Sequence, residues 1–398
     1  MTARLLSPRR RRLVLILLPL VGLFGVGVGI LELPSAPVAP AVIPIPNTTK
    51  GRLVEQIETL KYPAPQVGWA VVPTSPFWEL VRSIDGGHRW INVTPPGNGT
   101  DGGVAVTVTS PETAAVVVLP YQYLRTSTFA ITADGGAQWT AGILPNAASK
   151  GPDPMYALTS SRLFAVLANG VVLTSSNRGT NWSALTLPAL TSGSCLPTSV
   201  WFTSPNNGWI TGQCQGVAAM WHSADSGTTW DPIALSGAYA SSATVSVMPP
   251  QSTSSGAILT SAVASGQRGP EALRVFEKTS GTWTALPALA LPAGRVLVSF
   301  ANASDGWALD APHAPGALVL AYRTSDGGIN WTVQTTTIPA AEVTAFDLLS
   351  SGNAVALTQA GRNEDLWSSS NGGRSWSESK MTVSAGPVPK VNGITGTG

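Results

Sequence analysis

The sequence predicts an all-β ring of seven four-stranded blades preceded by one N-terminal transmembrane helix. Three observations carry this. An eight-residue motif recurs along the chain, short apolar runs that alternate with period two sit upstream of each copy, and glycine is abundant (41 of 398 residues) where charge is scarce at 11%. Soluble domains average about 25% charged residues. So apolar and glycine-rich a chain is neither a disordered polyelectrolyte nor a coiled coil, both of which need many Glu, Lys and Arg.

The N-terminal elements come first. Residues 1–12 hold Arg4 and Arg9 to Arg12, and 13–31 read LVLILLPLVGLFGVGVGIL, nineteen residues without a charge. At 1.5 Å per helical residue that run just crosses a bilayer core. Basic flanks stay in the cytoplasm, which sends everything after Glu32 outside it. A cleaved signal peptide competes with an uncleaved anchor. The anchor is favoured because PSAPVAPAVIPIP repeatedly sets proline where a small-x-small cleavage site would lie. Residues 32–50 then read as a stiff Pro/Ala-rich spacer, 51–383 as the propeller and 384–398 as a flexible tail.

The five N-terminal arginines also distort the net charge of +2. Without them, 18 basic side chains face 21 acidic ones. A chain with so little basic surface lacks the footprint that phosphate neutralisation requires, so no nucleic acid is expected as partner.

The motif reads Ser/Thr, any, Asp/Asn, any, Gly, any, any, Trp. Its six copies are built on Ser83, Asp85, Gly87 and Trp90; Thr132, Asp134, Gly136 and Trp139; Ser175, Asn177, Gly179 and Trp182; Ser223, Asp225, Gly227 and Trp230; Thr324, Asp326, Gly328 and Trp331; and Ser369, Asn371, Gly373 and Trp376. The acidic or amide positions are 49, 43, 48, 101 and 45 residues apart. The double gap predicts a hidden copy, and FEKTSGTW (Phe276 to Trp283) lies there with the acid lost and Gly281 shifted. In each copy Asp or Asn accepts hydrogen bonds from following amides, Gly supplies positive φ, and Trp opens the outgoing strand and packs back over the loop. About four short strands per ~48-residue unit, with no convincing helix between, is the pattern of a propeller blade.

Ser/Thr-x-Asp-x-Gly-x-x-Trp resembles the Asp-box, or BNR, repeat of sialidase-like propellers. Coupled to a Gly-Trp second strand, as in VWFTSPNNGWITG leading to SADSGTTW and VSFANASDGWALD leading to TSDGGINW, it is similar to the photosystem II stability/assembly factor-like seven-bladed group. The resemblance spans about 320 residues, from Gln56 to Lys380, and implies structural boxes at the blade turns and an extracytoplasmic assembly or binding role.

Chemistry is weakly signalled. The resemblance to sialidases implies an Arg-Ile-Pro element and a Tyr/Glu pair, yet no Arg-Ile-Pro occurs. Candidate acids outside the boxes include Asp101, Glu112, Glu271, Asp310, Asp347, Glu364 and Asp365, which a propeller mouth could bring together as a glycosidase pair. His88, His222 and His313 share no metal-ligand spacing, and no nucleophile elbow or phosphate loop appears. No metal or cofactor is expected. Cys195 and Cys214 flank one hairpin; with its turn centred on Asn206, Thr198 faces Cys214, leaving either a bridge or two separate thiols. Of the fourteen tryptophans, Trp78 and Trp201 fall outside the repeat pattern.

The reading that follows is a membrane-anchored, extracytoplasmic, non-catalytic scaffold for a protein or cell-envelope polymer. Its alternative is an exported glycoside hydrolase or carbohydrate-binding propeller.

Overall fold

The structure is a computed structural model. It describes residues 51–393 except 55, 75–76, 97–102, 119–126, 146–154, 160, 168, 191–194, 216, 236–243, 249–250, 253–257, 266–270, 280–281, 292–293, 303, 313–316, 340–341 and 361–362. The chain divides into two compact units, 1–40 and 41–398. The basic tail, the apolar run 13–31 and the spacer 32–50 lie outside the described residues. Among the described residues no helix is long and apolar enough to cross a membrane.

Seven sheets, each built on four antiparallel strands taken in sequence order, make the seven blades. Blade 1 comprises Thr59–Ala64, Val67–Thr74, Phe77–Ser83 and Trp90–Asn92, and blade 2 Val104–Val108, Ala114–Val118, Ser127–Thr132 and Gln138–Leu144. Blade 3 is Met155–Ala157, Leu163–Val166, Val172–Ser175 and Ser183–Leu185; blade 4 is Cys195–Phe202, Gly208–Cys214, Val217–Ser223 and Asp231–Ala234. Blade 5 fills the double gap with Thr244–Val247, Ile258–Ser265, Glu271–Thr279 and Thr282–Ala285, supplemented by Gln251–Ser252 and Leu289–Leu291. Blade 6 holds Gly294–Phe300, Gly306–Pro312, Leu318–Thr324 and Thr332–Pro339, and blade 7 Glu342–Leu348, Ala354–Ala360, Asn363–Ser369 and Ser377–Ser379.

The core consists of seven apolar clusters, one for each pair of neighbouring blades. Trp69, Val71 and Leu80 of blade 1 face Val116 and Trp139 of blade 2, whereas Ala70, Val72 and Val81 on the other side of the same strands face Val355 and Leu357 of blade 7. Successive strand residues point to opposite faces, so a sheet sandwiched between neighbours must be apolar at every position. Ala114–Val118, AAVVV, is buried throughout.

Ring closure adds strands to the outside rather than sharing them between blades. Thr382–Ser384 pairs in parallel with Trp90–Asn92 on the outer edge of blade 1, and Arg52–Leu53 pairs antiparallel to it. The segment read from sequence as a loose tail carries one further strand: Lys390–Gly393 runs parallel to Gln138–Leu144 on the outer edge of blade 2, and the Lys390 amide donates to Ala137 O at 3.0 Å. An outer blade edge leaves backbone groups unpaired, which a tail of low charge can satisfy without any periodic signal of its own. Met381 and Val383 are buried in the cluster that joins blades 7 and 1, together with Val54 and Ile57.

Met381→Ala is expected to cost about 2–4 kcal/mol by denaturant unfolding, because it empties the joint between the last blade and the first. Lys390→Pro removes one ladder donor, so amides of Gln138–Ala141 should lose hydrogen-exchange protection while global stability falls by about 1 kcal/mol at most.

Candidate functional site

The Asp-boxes join the third and fourth strands of their blades and share one internal design. In blade 1 the Ser83 hydroxyl donates to Asp85 Oδ1 at 2.9 Å and accepts from the Gly87 amide at 2.9 Å. Asp85 Oδ1 also accepts from the Arg89 amide at 2.9 Å, and Trp90 Nε1 donates to Gly87 O at 2.9 Å. Blades 2, 4 and 6 repeat all four bonds through Thr132, Asp134 and Gly136, through Ser223, Asp225 and Gly227, and through Thr324, Asp326 and Gly328. Asn177 and Asn371 accept the same hydroxyl and amide bonds in blades 3 and 7, but the indole N–H groups of Trp182 and Trp376 have no partner there.

The residue after Asp/Asn, free in the sequence rule, is not free in the turn. Gly86 has φ of 74° and Gly87 93°, while Arg178 and Ser226, which replace the first glycine, adopt 64° and 61°. Two consecutive left-handed residues wrap the amides around the carboxylate. Each of the six boxes also ties to the first hairpin of its own blade, as with the Gly86 amide on Gln66 O at 3.0 Å and the Gly372 amide on Gly352 O at 2.9 Å. All these turns therefore share one face of the ring.

Boxes lock each blade to the one before it. A Cβ on Gly179 would stand 2.3 Å from Phe129 of blade 2, and one on Gly227 2.4 Å from Phe164 of blade 3, so no larger residue fits. A basic side chain then bridges the same joints. Arg323, immediately ahead of the blade 6 box, lies 4.8 Å over Trp307 and donates to Gly372 O (3.0 Å) and Ser351 O (3.2 Å) of blade 7. Arg82, one place before the blade 1 box, lies over Trp69 and donates to Pro111 O (3.1 Å) and Glu112 (2.7 Å) of blade 2. In blade 4 that position is His222, stacked 4.2 Å from Trp209, with Lys278 of blade 5 at 5.1 Å from the same indole. Burial first, and then Lys278, lowers the His222 pKa. Sequence reasoning missed this use of single arginines; the signal was a basic residue directly before the box Ser/Thr.

The remaining acids are scattered. Glu112 is exposed and paired with Arg82. Asp347 is buried on the innermost strand of blade 7, where it pairs with Lys61 and accepts the Tyr62 amide at 2.7 Å across the closure of the ring. Asp310 is fully buried on the second strand of blade 6 and, after burial, contributes to raising the Tyr322 pKa. Asp365 is half-buried on blade 7. Asp101 lies outside the described residues, as do the side chains of Glu271 and Glu364. No group of three or more His, Cys, Asp or Glu that could hold a metal ion occurs among the described residues. Trp78 is buried with its indole N–H unpartnered, and Trp201 packs edge-on against Tyr156 at 5.3 Å.

Cys195 and Cys214 stand directly opposite each other on the first two strands of blade 4 and are disulfide-bonded. Their register differs from the Asn206-centred reading because the hairpin turns about Pro205, with Phe202 facing Gly208, and an irregularity between Pro197 and Ser199 shifts the pairing by one residue.

No protein-family model matches the chain, and no curated protein matches it. Solved structures do. YCF48 bound to a D1 peptide aligns over 83% of this chain and 99% of its own at 16% identity and a TM-score of 0.52. The GH74 enzyme of Niastella koreensis aligns over 83% of this chain at 16% identity and a TM-score of 0.58, and this chain spans 55% of its length. A PL25 ulvan lyase covers 84% of this chain and 95% of its own at 9% identity and a TM-score of 0.52. At such identities these likenesses establish the propeller fold.

The boxes predict an acid limb of stability. Amide and hydroxyl donors lower the pKa of Asp85, Asp225 and Asp326, foremost the Arg89 amide, the Thr229 amide and the Asn330 amide respectively. A depressed folded-state pKa means stability present above the ordinary carboxylate pKa near 4 and lost as pH falls below it. Denaturation midpoints should therefore drop from about pH 4 downward, and Asp225→Asn should weaken that pH dependence while retaining the turn, as Asn does in blades 3 and 7. Ser223→Ala strips a buried hydroxyl from two bonds and should cost about 1–3 kcal/mol. Arg178→Gly should stabilise by about 0.5–1 kcal/mol by relieving its left-handed backbone.

Proposed function

We propose that this chain is a membrane-tethered, extracytoplasmic propeller that works as a non-catalytic scaffold for a protein partner. The carrying observation is how Asp347, Glu112 and the box acids are used. Asp347 closes the ring with Lys61 and the Tyr62 amide, Glu112 pairs with Arg82 across blades 1 and 2, and the box acids hold turns. General acid–base work on a glycan needs two carboxyl groups facing one substrate at a set separation, with their proton affinities tuned apart. Acids committed to turn and blade-joint bonds do not serve it.

Two further points support the reading. A cross-strand disulfide in blade 4 suits an oxidising compartment, as export past the apolar run 13–31 requires. YCF48, which shares the fold, is a propeller with a D1 peptide bound, so this architecture holds polypeptide ligands in at least that protein. The glycan reading draws on the GH74 and PL25 structures, which share the fold at 16% and 9% identity.

Crosslinking in intact cells followed by purification from membranes should recover a stable protein partner. A panel of fluorogenic glycosides and sialosides should show no turnover by the same material. Turnover that disappears in Asp365→Asn or Asp310→Asn, with no partner recovered, would replace the scaffold by the hydrolase.

A further inference from the structure

A cation set against an aromatic ring recurs at the blade joints, and at one joint the position titrates. Arg82 and Arg323 lie over Trp69 and Trp307 and donate to carbonyls of the following blade. Arg162 of blade 3 likewise lies 5.2 Å over Phe164 and donates to Gly227 O of blade 4 at 3.0 Å. A guanidinium keeps its charge throughout the accessible pH range. Between blades 4 and 5 the residue ahead of the box is His222, whose side chain changes charge near pH 6.5. Its ring stacks on Trp209 at 4.2 Å, inclined by 33°, and its Nε2 lies 3.4 Å from Asn207 Oδ1 of its own blade. The cation at this joint comes from the other side: Lys278, on the third strand of blade 5, places Nζ 5.1 Å from the same indole.

Blade 5 also lacks the box sequence, so this joint has no box turn of the following blade seated against blade 4. The two blades meet through one cluster, in which Trp209 and Met220 of blade 4 pack with Phe276 and Trp283 of blade 5. Two charged groups act on His222 there. Lys278 opposes its protonation from blade 5, and Asp231, opposite it in register on the fourth strand of blade 4, favours it. Asp231 is exposed and screened by water, whereas His222 and Lys278 are half-buried. Burial and then Lys278 therefore prevail over Asp231, and the His222 pKa is lowered. Burial lowers the Lys278 pKa as well, the same penalty on charge at this joint. A histidine pKa depressed by folding means that the unfolded chain holds the proton more tightly. Stability is then present above about pH 6.5 and is lost as pH falls from there toward the folded-state pKa. The box carboxylates titrate only from about pH 4 downward, so the two effects fall in separate windows.

We propose that the joint between blades 4 and 5 is an acid-labile seam: protonation of His222 sets two cations against Trp209 and parts blade 5 from blade 4 while the other joints stay closed. The seam needs neither a partner nor an anchor to act.

The test follows the purified full chain between about pH 7.5 and about pH 5.5, a range that brackets the histidine. Met220→Cys places a thiol inside the seam, and Val116→Cys places one in the joint between blades 1 and 2, where both native side chains are fully buried. A dipyridyl disulfide, which reacts with thiols in acid as well as at neutral pH, measures how often each joint opens. The ratio of the two labelling rates corrects for the pH dependence of the thiol itself, and it should rise severalfold on acidification. His222→Gln, neutral throughout, should hold the ratio at its neutral-pH value, and Lys278→Met should shrink the rise by removing the second cation. The His222 ring protons, assigned by their loss in His222→Gln, should titrate below about pH 6.5. A ratio that stays constant while His222 is present overturns the seam. A rise that persists in His222→Gln overturns it too, since another group then opens the joint. Titration of His222 above about pH 6.5 overturns it from the other side, because the indole then holds the imidazolium as Trp69 holds Arg82.

Discussion

Each blade must bury both faces of its sheet against its two neighbours, and most of the chain's peculiarities descend from that demand. A strand buried on both sides has nowhere to place a charge, which is why the composition is so poor in Asp, Glu, Lys and Arg and why AAVVV is an acceptable strand. Large rigid side chains then become efficient spacers between wedge-shaped sheets. Trp69, Trp139, Trp209, Trp221 and Trp307 are all essentially inaccessible, and each belongs to a cluster formed by two successive blades.

The Asp-box is the local device that makes this packing directional. Its hydroxyl, carboxylate or carboxamide and two left-handed residues fold the turn into a compact knob, and in blades 3, 4 and 7 its last glycine lets that knob touch an aromatic ring of the preceding blade. The arginine ahead of a box in blades 1 and 6 then spans to the following blade, so neighbouring joints are linked through side chains and not through sheet hydrogen bonds alone. Blade 5 shows what remains without the device. Thr279 faces Thr282 directly, and Trp283 is held instead by edge-on packing 5.7 Å from Trp209.

What could be read from sequence follows the same division between local and non-local causes. The boxes, the blade count and the hidden fifth blade were legible because their determinants lie within eight residues and recur at a nearly constant interval. The fourth box position escaped notice because Gly86, Arg178 and Ser226 share a backbone conformation and not a residue type. Asp347 gave no signal either: its partners Lys61 and Tyr62 lie more than 280 residues away and meet it only because the ring closes. The outer strand at 390–393 was equally silent, since an added edge strand needs backbone groups and little pattern.

That contrast bears on where recognition can evolve in such a ring. Turns on the box face are constrained twice, by their own hydrogen bonds and by contact with the preceding blade, so their exposed charges are presented on a rigid frame. At the other ends of the strands, buried and exposed side chains alternate with the pleat, as with exposed Phe77 beside Trp78, which is buried between blades 1 and 2. A residue such as Leu318 contributes little to the blade at the position where it is exposed, since its neighbour Val319 supplies the burial between blades 6 and 7. Leu318 is thus a single exposed apolar side chain beside a buried one, and the physical distinction that separates it from a spacer such as Trp307 is burial between two blades.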